Sequence, residues 1–220
     1  MILLDRLRWR FSANRFQPFN HTLPDRYPWL FSFVRDHLGD GAERRLLSFG
    51  CSTGLEALSL RRYFPKAAIT GLDISPANIA ACRRHGRADI AFAVADSTAG
   101  EAERSYDAIF CLAVLCHGTL TATRAERCDP LVEFATFERM VADFARCLKP
   151  GGLLCLVTTN FRFADTATAA GFTPVLDIDP ALMAPDLLYG RDNRLLEGER
   201  YTEVVFVKNH SARTVPPCAP

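Results

Sequence analysis

Residues 49–56 read Phe-Gly-Cys-Ser-Thr-Gly-Leu-Glu. The run before them, Leu46-Leu47-Ser48-Phe49, has the apolar character of a buried strand. After them, Leu55, Leu58 and Leu60 supply much of the apolar face of a helix. A turn made of Gly50, Cys51, Ser52, Thr53 and Gly54 therefore joins a strand to a helix. Glycines at such a turn let the backbone approach a ligand closely. The helix start also offers unpaired N–H groups to a negatively charged partner. The spacing is Gly-x-x-x-Gly, so the Gly-x-Gly-x-x-Gly pattern that cradles a dinucleotide pyrophosphate is not met.

Outward from this turn the pattern alternates. Strands are predicted at 44–50, 67–73, 89–94, 106–112 and 153–159, and later at 172–178 and 201–208. Helices are predicted at 28–38, 54–64, from Ser75-Pro76 onward, at 131–148 and at about 164–170. Lys149-Pro150-Gly151-Gly152 reads as a break before the fifth strand, and 118–130 as a polar loop. Alternating strands and helices imply an α/β fold, a parallel sheet with helices on both faces. Ligands bind such sheets at the carboxyl ends of the strands. Three segments result: an arm or lid with a helix at 1–43, the α/β domain at 44–208, and a tail at 209–220.

Bulk properties narrow the choices. The chain has 220 residues, 49% apolar and 23% charged, with a net charge of +1. That balance gives no global attraction to nucleic acid or to a membrane surface. Eight cysteines include no Cys-x-x-Cys pair, so a zinc or redox site has no support, and no metal is expected. Their placement in strands and helices suggests small buried hydrophobes in a reduced, cytoplasmic protein. The Arg-rich N-terminus has too short an apolar run for a secretory signal, and no stretch is long enough to span a bilayer.

Ser48 through Gly54 resembles the first motif of class I, Rossmann-like S-adenosylmethionine-dependent methyltransferases, an acidic residue followed by three alternating glycines. The outer glycines Gly50 and Gly54 match. Ser48 stands where the acid would be, and Ser52 replaces the middle glycine. The variant Gly-Cys-Ser-Thr-Gly, with Glu56 nearby, is also similar to the chemotaxis-receptor glutamate methyltransferases. So is Ile109 to Leu115, although the Arg-Asn pair of that family is missing. The resemblance implies a seven-stranded, mostly parallel sheet whose last strand is antiparallel. It also implies S-adenosyl-L-methionine as cofactor.

The remaining landmarks follow in order. Asp73, with Ile74 beside it, ends the second strand, where a carboxylate accepts ribose hydroxyls; its alternative is a helix cap. Asp96-Ser97 follows the third strand, where the resemblance implies adenine recognition. Cys111 ends the fourth, next to where the reactive methyl should lie. The expected cofactor set is thus Gly50, Cys51, Ser52, Gly54, Asp73, Ile74, Asp96, Ser97 and Cys111.

Methyl transfer is an in-line displacement on an activated donor, so alignment and exclusion of water dominate. A base helps when the acceptor must lose a proton. His117, just after strand four, is the candidate base; the alternative is a histidine that orients the loop. Asn160 and Arg162, after strand five, and Tyr27, in the aromatic stretch 19–29, are candidates for acceptor binding. Arg162 has a salt bridge to Asp165 as its alternative. A small-molecule acceptor, methylated on oxygen or nitrogen, is the expectation. Protein carboxyl methylation, a cofactor-binding module without catalysis and a dehydrogenase are the competing readings.

Overall fold

In the computed structural model the residues described are 12, 14, 16–179 and 187–210. Most of the N-terminal Arg-rich run and residues 211–220 of the expected tail lie outside them. Seven strands form one sheet in the order β3-β2-β1-β4-β5-β7-β6. They are β1 (Arg45–Phe49), β2 (Ala68–Asp73), β3 (Ile90–Val94), β4 (Tyr106–Leu112), β5 (Leu148–Val157), β6 (Phe172–Asp177) and β7 (Glu203–Lys208). The first five pair in parallel, and β7 runs antiparallel between β5 and β6. The expected Rossmann-like sheet, with its last strand reversed, is what the chain forms.

Among the described residues five α-helices accompany it: α1 (Pro28–Leu38), α2 (Leu55–Tyr63), α3 (Pro76–Arg84), α4 (Gly118–Thr123) and α5 (Phe134–Cys147). Alternation along the strands builds two apolar layers. Leu46, Ile69, Ala108, Phe110 and Cys155 face one side with Leu30, Phe31 and Val34 of α1 and Leu60 of α2. Leu47, Leu72, Ile109, Leu154 and Leu156 face the other with Phe137, Val141 and Phe144 of α5. Every residue of β4 is buried, as a central strand covered on both faces requires.

Local chemistry sets the boundaries. Pro28 opens α1 and Gly39 closes it at φ 68°. Ser75 caps α3 by accepting from the Asn78 N–H. Three segments differ from the sequence reading. The Lys149-Pro150-Gly151-Gly152 stretch lies within β5, which pairs Leu148 with Tyr106 and then Leu153 with Ala108, so the intervening residues bulge out of register. Lys149 then reaches the buried Asp107 at 2.6 Å, which is why the excursion is tolerated. Part of the 118–130 loop forms the short helix α4, and the expected helix at 164–170 is two 3₁₀ turns, Phe163–Asp165 and Ala167–Gly171.

The topology reverses between β1 and β4, the neighbours on either side of which the chain winds in opposite directions. Their carboxyl ends therefore leave a crevice, and the site lies there.

Candidate active site

A cavity of about 190 Å³ opens at this edge. One wall is the ends of β1, β2, β3 and β4, including Gly50, Asp73, Asp96 and Leu112. The other is the segment leading into α1, with Phe16, Gln17, Asn20 and Tyr27. The 1–43 arm thus contributes a wall through its described part.

The Gly50–Gly54 turn takes its shape from backbone demands. Gly50 has φ 71°, and a Cβ there would run into the Val114 side chain. Gly54, at φ 91°, is the residue before α2, and a Cβ there would lie 3.0 Å from Cys82 Sγ. Ser52, in the middle-glycine position, also has positive φ, at 52°. Ala113 and Thr158, at the ends of β4 and β5, do so at 57° and 61°. Left-handed backbone is uncommon outside glycine and strained in a β-branched residue such as Thr158, and these three non-glycine residues gather at one sheet edge.

Asp73 is buried at the end of β2, and its carboxylate is already well supplied with donors. Oδ2 accepts the Ser52 N–H at 2.8 Å; Oδ1 accepts the Ser75 N–H at 2.8 Å and the Asn78 amide at 2.9 Å. Burial raises its pKa, and the three donors oppose that rise. Asn20 completes a ring: it donates to Asn78 Oδ1 at 2.9 Å and accepts from the Ser52 hydroxyl. Asp96, also on the cavity wall, accepts from the Ser12 hydroxyl at 2.7 Å. Ile74 and Cys51 also line the cavity.

A third carboxylate sits at the β1 side of the cavity. Glu56, in the first turn of α2, lines it and accepts from the Ser48 hydroxyl at 2.7 Å. Burial pushes its pKa up to about 8, against the lowering effects of Ser48 and of the Arg26 charge. Arg26 also lines the cavity and stacks over the Tyr27 ring at 5.2 Å. The Tyr27 phenol is raised by burial above its ordinary value, so at neutral pH it is a hydroxyl, with Thr158 as a hydrogen-bond partner. The sequence placed Glu56 beside the turn without giving it a role. The signal was there: Ser48, a hydroxyl in the middle of an apolar strand, needs a partner.

Other expected residues are elsewhere. Cys111 is fully buried beneath the edge, because β4 alternation turns Leu112 to the cavity and Cys111 into the core. Ser97 does not line the cavity; its hydroxyl accepts from the Ala99 N–H at 3.5 Å. His117 is off the cavity wall and caps α4, its Nδ1 accepting the Thr119 N–H at 3.3 Å. Asn160 is buried and ties loops together: Oδ1 accepts the His117 N–H at 2.6 Å and the amide donates to the Leu187 carbonyl at 2.9 Å. Arg162 pairs with Asp165 at 2.9 Å and also with Glu199, so its guanidinium is committed to neighbours. Tyr27 is the acceptor-side candidate that reaches the cavity.

Among the described residues no group of His, Cys, Asp and Glu could hold a metal ion, and the seven described cysteines are all unbridged. No helix among them is long and apolar enough to cross a membrane.

A family model described as a methyltransferase domain matches residues 47–156, half of the chain. The chain belongs to that family. Its sheet has the class I, Rossmann-like order, and the family implies S-adenosyl-L-methionine as cofactor. The matched stretch runs from β1 through most of β5 and contains the Gly50 turn, Asp73, Asp96 and the end of β4.

Ubiquinone biosynthesis O-methyltransferase of Maricaulis maris (strain MCS10) is 27% identical over 162 residues, 69% of this chain and 57% of that protein. The enzyme of the same name from Azotobacter vinelandii (strain DJ / ATCC BAA-1303) is 28% identical over 160 residues, 70% of this chain and 58% of that protein. Ribosomal RNA small subunit methyltransferase C of Hahella chejuensis (strain KCTC 2396) is 31% identical over 121 residues, 54% of this chain and 32% of that protein. The chain spans about half the length of the curated O-methyltransferases it matches.

Proposed function

We propose that this methyltransferase moves the methyl group of S-adenosylmethionine to an oxygen of a small-molecule acceptor in the cytoplasm. The observation that carries the reading is the single cavity wall shared by Gly50, Asp73 and Asp96, at the topological switch point. The similarity to proteins named O-methyltransferases favours oxygen over nitrogen.

In this reading the Gly50–Gly54 turn lies against the methionine portion of the cofactor. Asp73 Oδ2, which takes one protein donor, keeps lone pairs for a ribose hydroxyl. Asp96 and Ile74 flank the adenosine. The cofactor supplies an activated methyl, so the protein's share is alignment and exclusion of water. The 16–27 segment, which walls the cavity, serves as the cover. Tyr27 presents a neutral phenol that orients the acceptor's oxygen by hydrogen bonding. His117, Asn160 and Arg162 support the neighbouring loops.

Transfer of labelled methyl from S-adenosylmethionine to a panel of phenols and alcohols, amines, a carboxylate-bearing peptide and ribosomal RNA tests this directly. Label in the hydroxyl compounds is the expected result. Label confined to RNA or peptide would overturn the small-molecule reading, and cofactor binding without transfer to any of them would favour a binding module.

A further inference from the structure

We propose that Cys51 and Cys82 form a reversible disulfide that weakens cofactor binding when a hydroperoxide enters the cavity. The bond stands on the geometry of the two side chains. Its effect on affinity rests on the cofactor reading above.

The two cysteines are far apart in sequence and share no Cys-x-x-Cys motif, so spacing gave no sign of them. The fold joins them. Cys51 is the second residue of the turn after β1, and Cys82 lies near the end of α3. With Ile79 they form a small buried cluster, apart from the two layers on the sheet faces. Their thiols hydrogen-bond to each other. Both sulfurs also approach one acceptor, the Ser52 carbonyl, at 3.8 Å from Cys51 and 3.2 Å from Cys82. A Cβ on Gly54 would lie 3.0 Å from Cys82 Sγ, and one on Gly71 would lie 3.0 Å from Cys51 Sγ. Glycine at those two places leaves the room in which the sulfurs meet. Both cysteines are buried, yet Cys51 is part of the cavity wall. The cavity is thus the route by which a small oxidant meets the pair.

The pair titrates as a unit. The Cys51 S–H donates to Cys82 and lowers the Cys82 thiol from its ordinary value, against the desolvation that raises it. The same bond, with burial, holds Cys51 well up. Asp73 and Glu56 face the pair and oppose a thiolate, while Arg83 favours one on Cys82. One thiolate beside one thiol is what disulfide formation needs, and the shared proton lets the charge sit on Cys51, the sulfur at the wall.

In the first step the thiolate sulfur attacks one oxygen of the hydroperoxide. The O–O bond breaks, the sulfur becomes a sulfenic acid, and the departing oxyanion takes the proton of the second thiol. That second sulfur then attacks the sulfenic sulfur and the S–O bond breaks. The hydroxide released takes up the proton that the pair gave to solvent when it ionised. Two thiols and one hydroperoxide give one disulfide, one water and one alcohol, or two waters from hydrogen peroxide, and a thiol reductant reverses the bond.

The bond acts on the site through Ser52. It removes both S–H donors from the Ser52 carbonyl and draws the turn toward α3. The turn does not shift alone. Asp73 Oδ2 holds the Ser52 N–H, and the Leu72 carbonyl holds the N–H groups of Gly50 and Cys51. The wall made by Gly50, Ser52 and Asp73 changes shape with it. Coupling is reciprocal, so a cofactor that prefers the dithiol form makes the pair harder to oxidise.

The test treats the full chain with hydrogen peroxide, alkylates the remaining thiols and maps the bridged peptides by mass. Calorimetric titration with S-adenosylhomocysteine follows, on reduced, oxidised and re-reduced protein. The expected result is a Cys51–Cys82 bond, a loss of affinity of roughly tenfold, and full recovery with dithiothreitol. Saturating S-adenosylhomocysteine should then raise the pair's reduction potential by about 30 mV, the equivalent of tenfold for a two-electron couple. Cys82 is not on the cavity wall, so Cys82→Ser should bind like reduced wild type and keep that affinity after peroxide. The wild-type map and potential need no variant, should that substitution unfold the chain. Peroxide that leaves these two cysteines unbridged, or bridges another pair, overturns the proposal. So does a mapped bond with affinity within twofold of the reduced protein, or a Cys82→Ser protein that loses affinity to peroxide as wild type does. A mapped bond in a chain whose reduced form binds no S-adenosylhomocysteine overturns the cofactor reading and the switch with it, while the bond itself stands.

Discussion

The two halves of the cavity edge behave differently. At β1, β2 and β3, the sequence's candidate ligands Gly50, Cys51, Ser52, Asp73, Ile74 and Asp96 converge on one wall. Beyond β4 and β5, Asn160 holds the His117 N–H, His117 caps α4, and Arg162 pairs with Asp165 and Glu199 instead. Apart from Ser52, the first group lies at a strand end or within two residues of one, where sheet register holds the ends in line: Phe49 sits beside Leu72, and Asp73 beside Val94. The second group lies three or more residues past its strands, where loop packing decides direction. Proximity to a strand end in sequence is thus a good guide to a site only while the ladder itself dictates the position.

The sharpest way to break this contrast is Asp73→Ala. The carboxylate is buried and joined to Ser52, Ser75 and Asn78. Its loss removes the proposed acceptor for ribose and leaves those donors unmatched. Affinity for S-adenosylhomocysteine should fall about 100-fold, close to 3 kcal/mol. Affinity within threefold of wild type would show that Asp73 only shapes the turn, and the first group would lose its central member.

The same contrast explains what was legible. Strand periodicity, the glycine turn and Ser75-Pro76 pointed to all seven strands and to the edge where the cavity opens, because each is a local signal read against a repeating backbone. Three things were hidden for physical reasons. The out-of-register start of β5 depends on Lys149 meeting Asp107, a contact across 42 residues. Cys111 and Leu112 exchange roles because a one-residue step along a strand reverses the face. Glu56 was hidden because its meaning depends on Ser48, eight residues earlier, which it reaches only once strand and helix have docked.

Asn160→Ala probes the other half, with a smaller effect of a different kind. The side chain is 1% exposed and joins the His117 N–H to the Leu187 carbonyl. Removing it strands two half-buried backbone groups, so chemical denaturation should show a stability loss of about 2 kcal/mol. Cofactor affinity measured below the unfolding transition should stay within twofold. Weaker binding at unchanged stability would return Asn160 to the ligand side and blur the division between the two halves.

His117→Ala carries the smallest expected change and separates its two candidate roles. As the cap of α4, Nδ1 accepts the Thr119 N–H at 3.3 Å, a long bond on a six-residue helix. Its removal should cost at most about 1 kcal/mol, with turnover within threefold of wild type. A general base would give the opposite pattern: unchanged stability, turnover lower by 100-fold or more, and loss of the acid limb of the pH–rate profile. His117→Asn sharpens the comparison, because asparagine can still cap a helix and cannot take up a proton near neutral pH. Full stability and activity in that variant would assign His117 to the fold. Full stability with lost activity would move the β4 loop into the chemistry, and the strand-end rule would then have to reach five residues past Leu112.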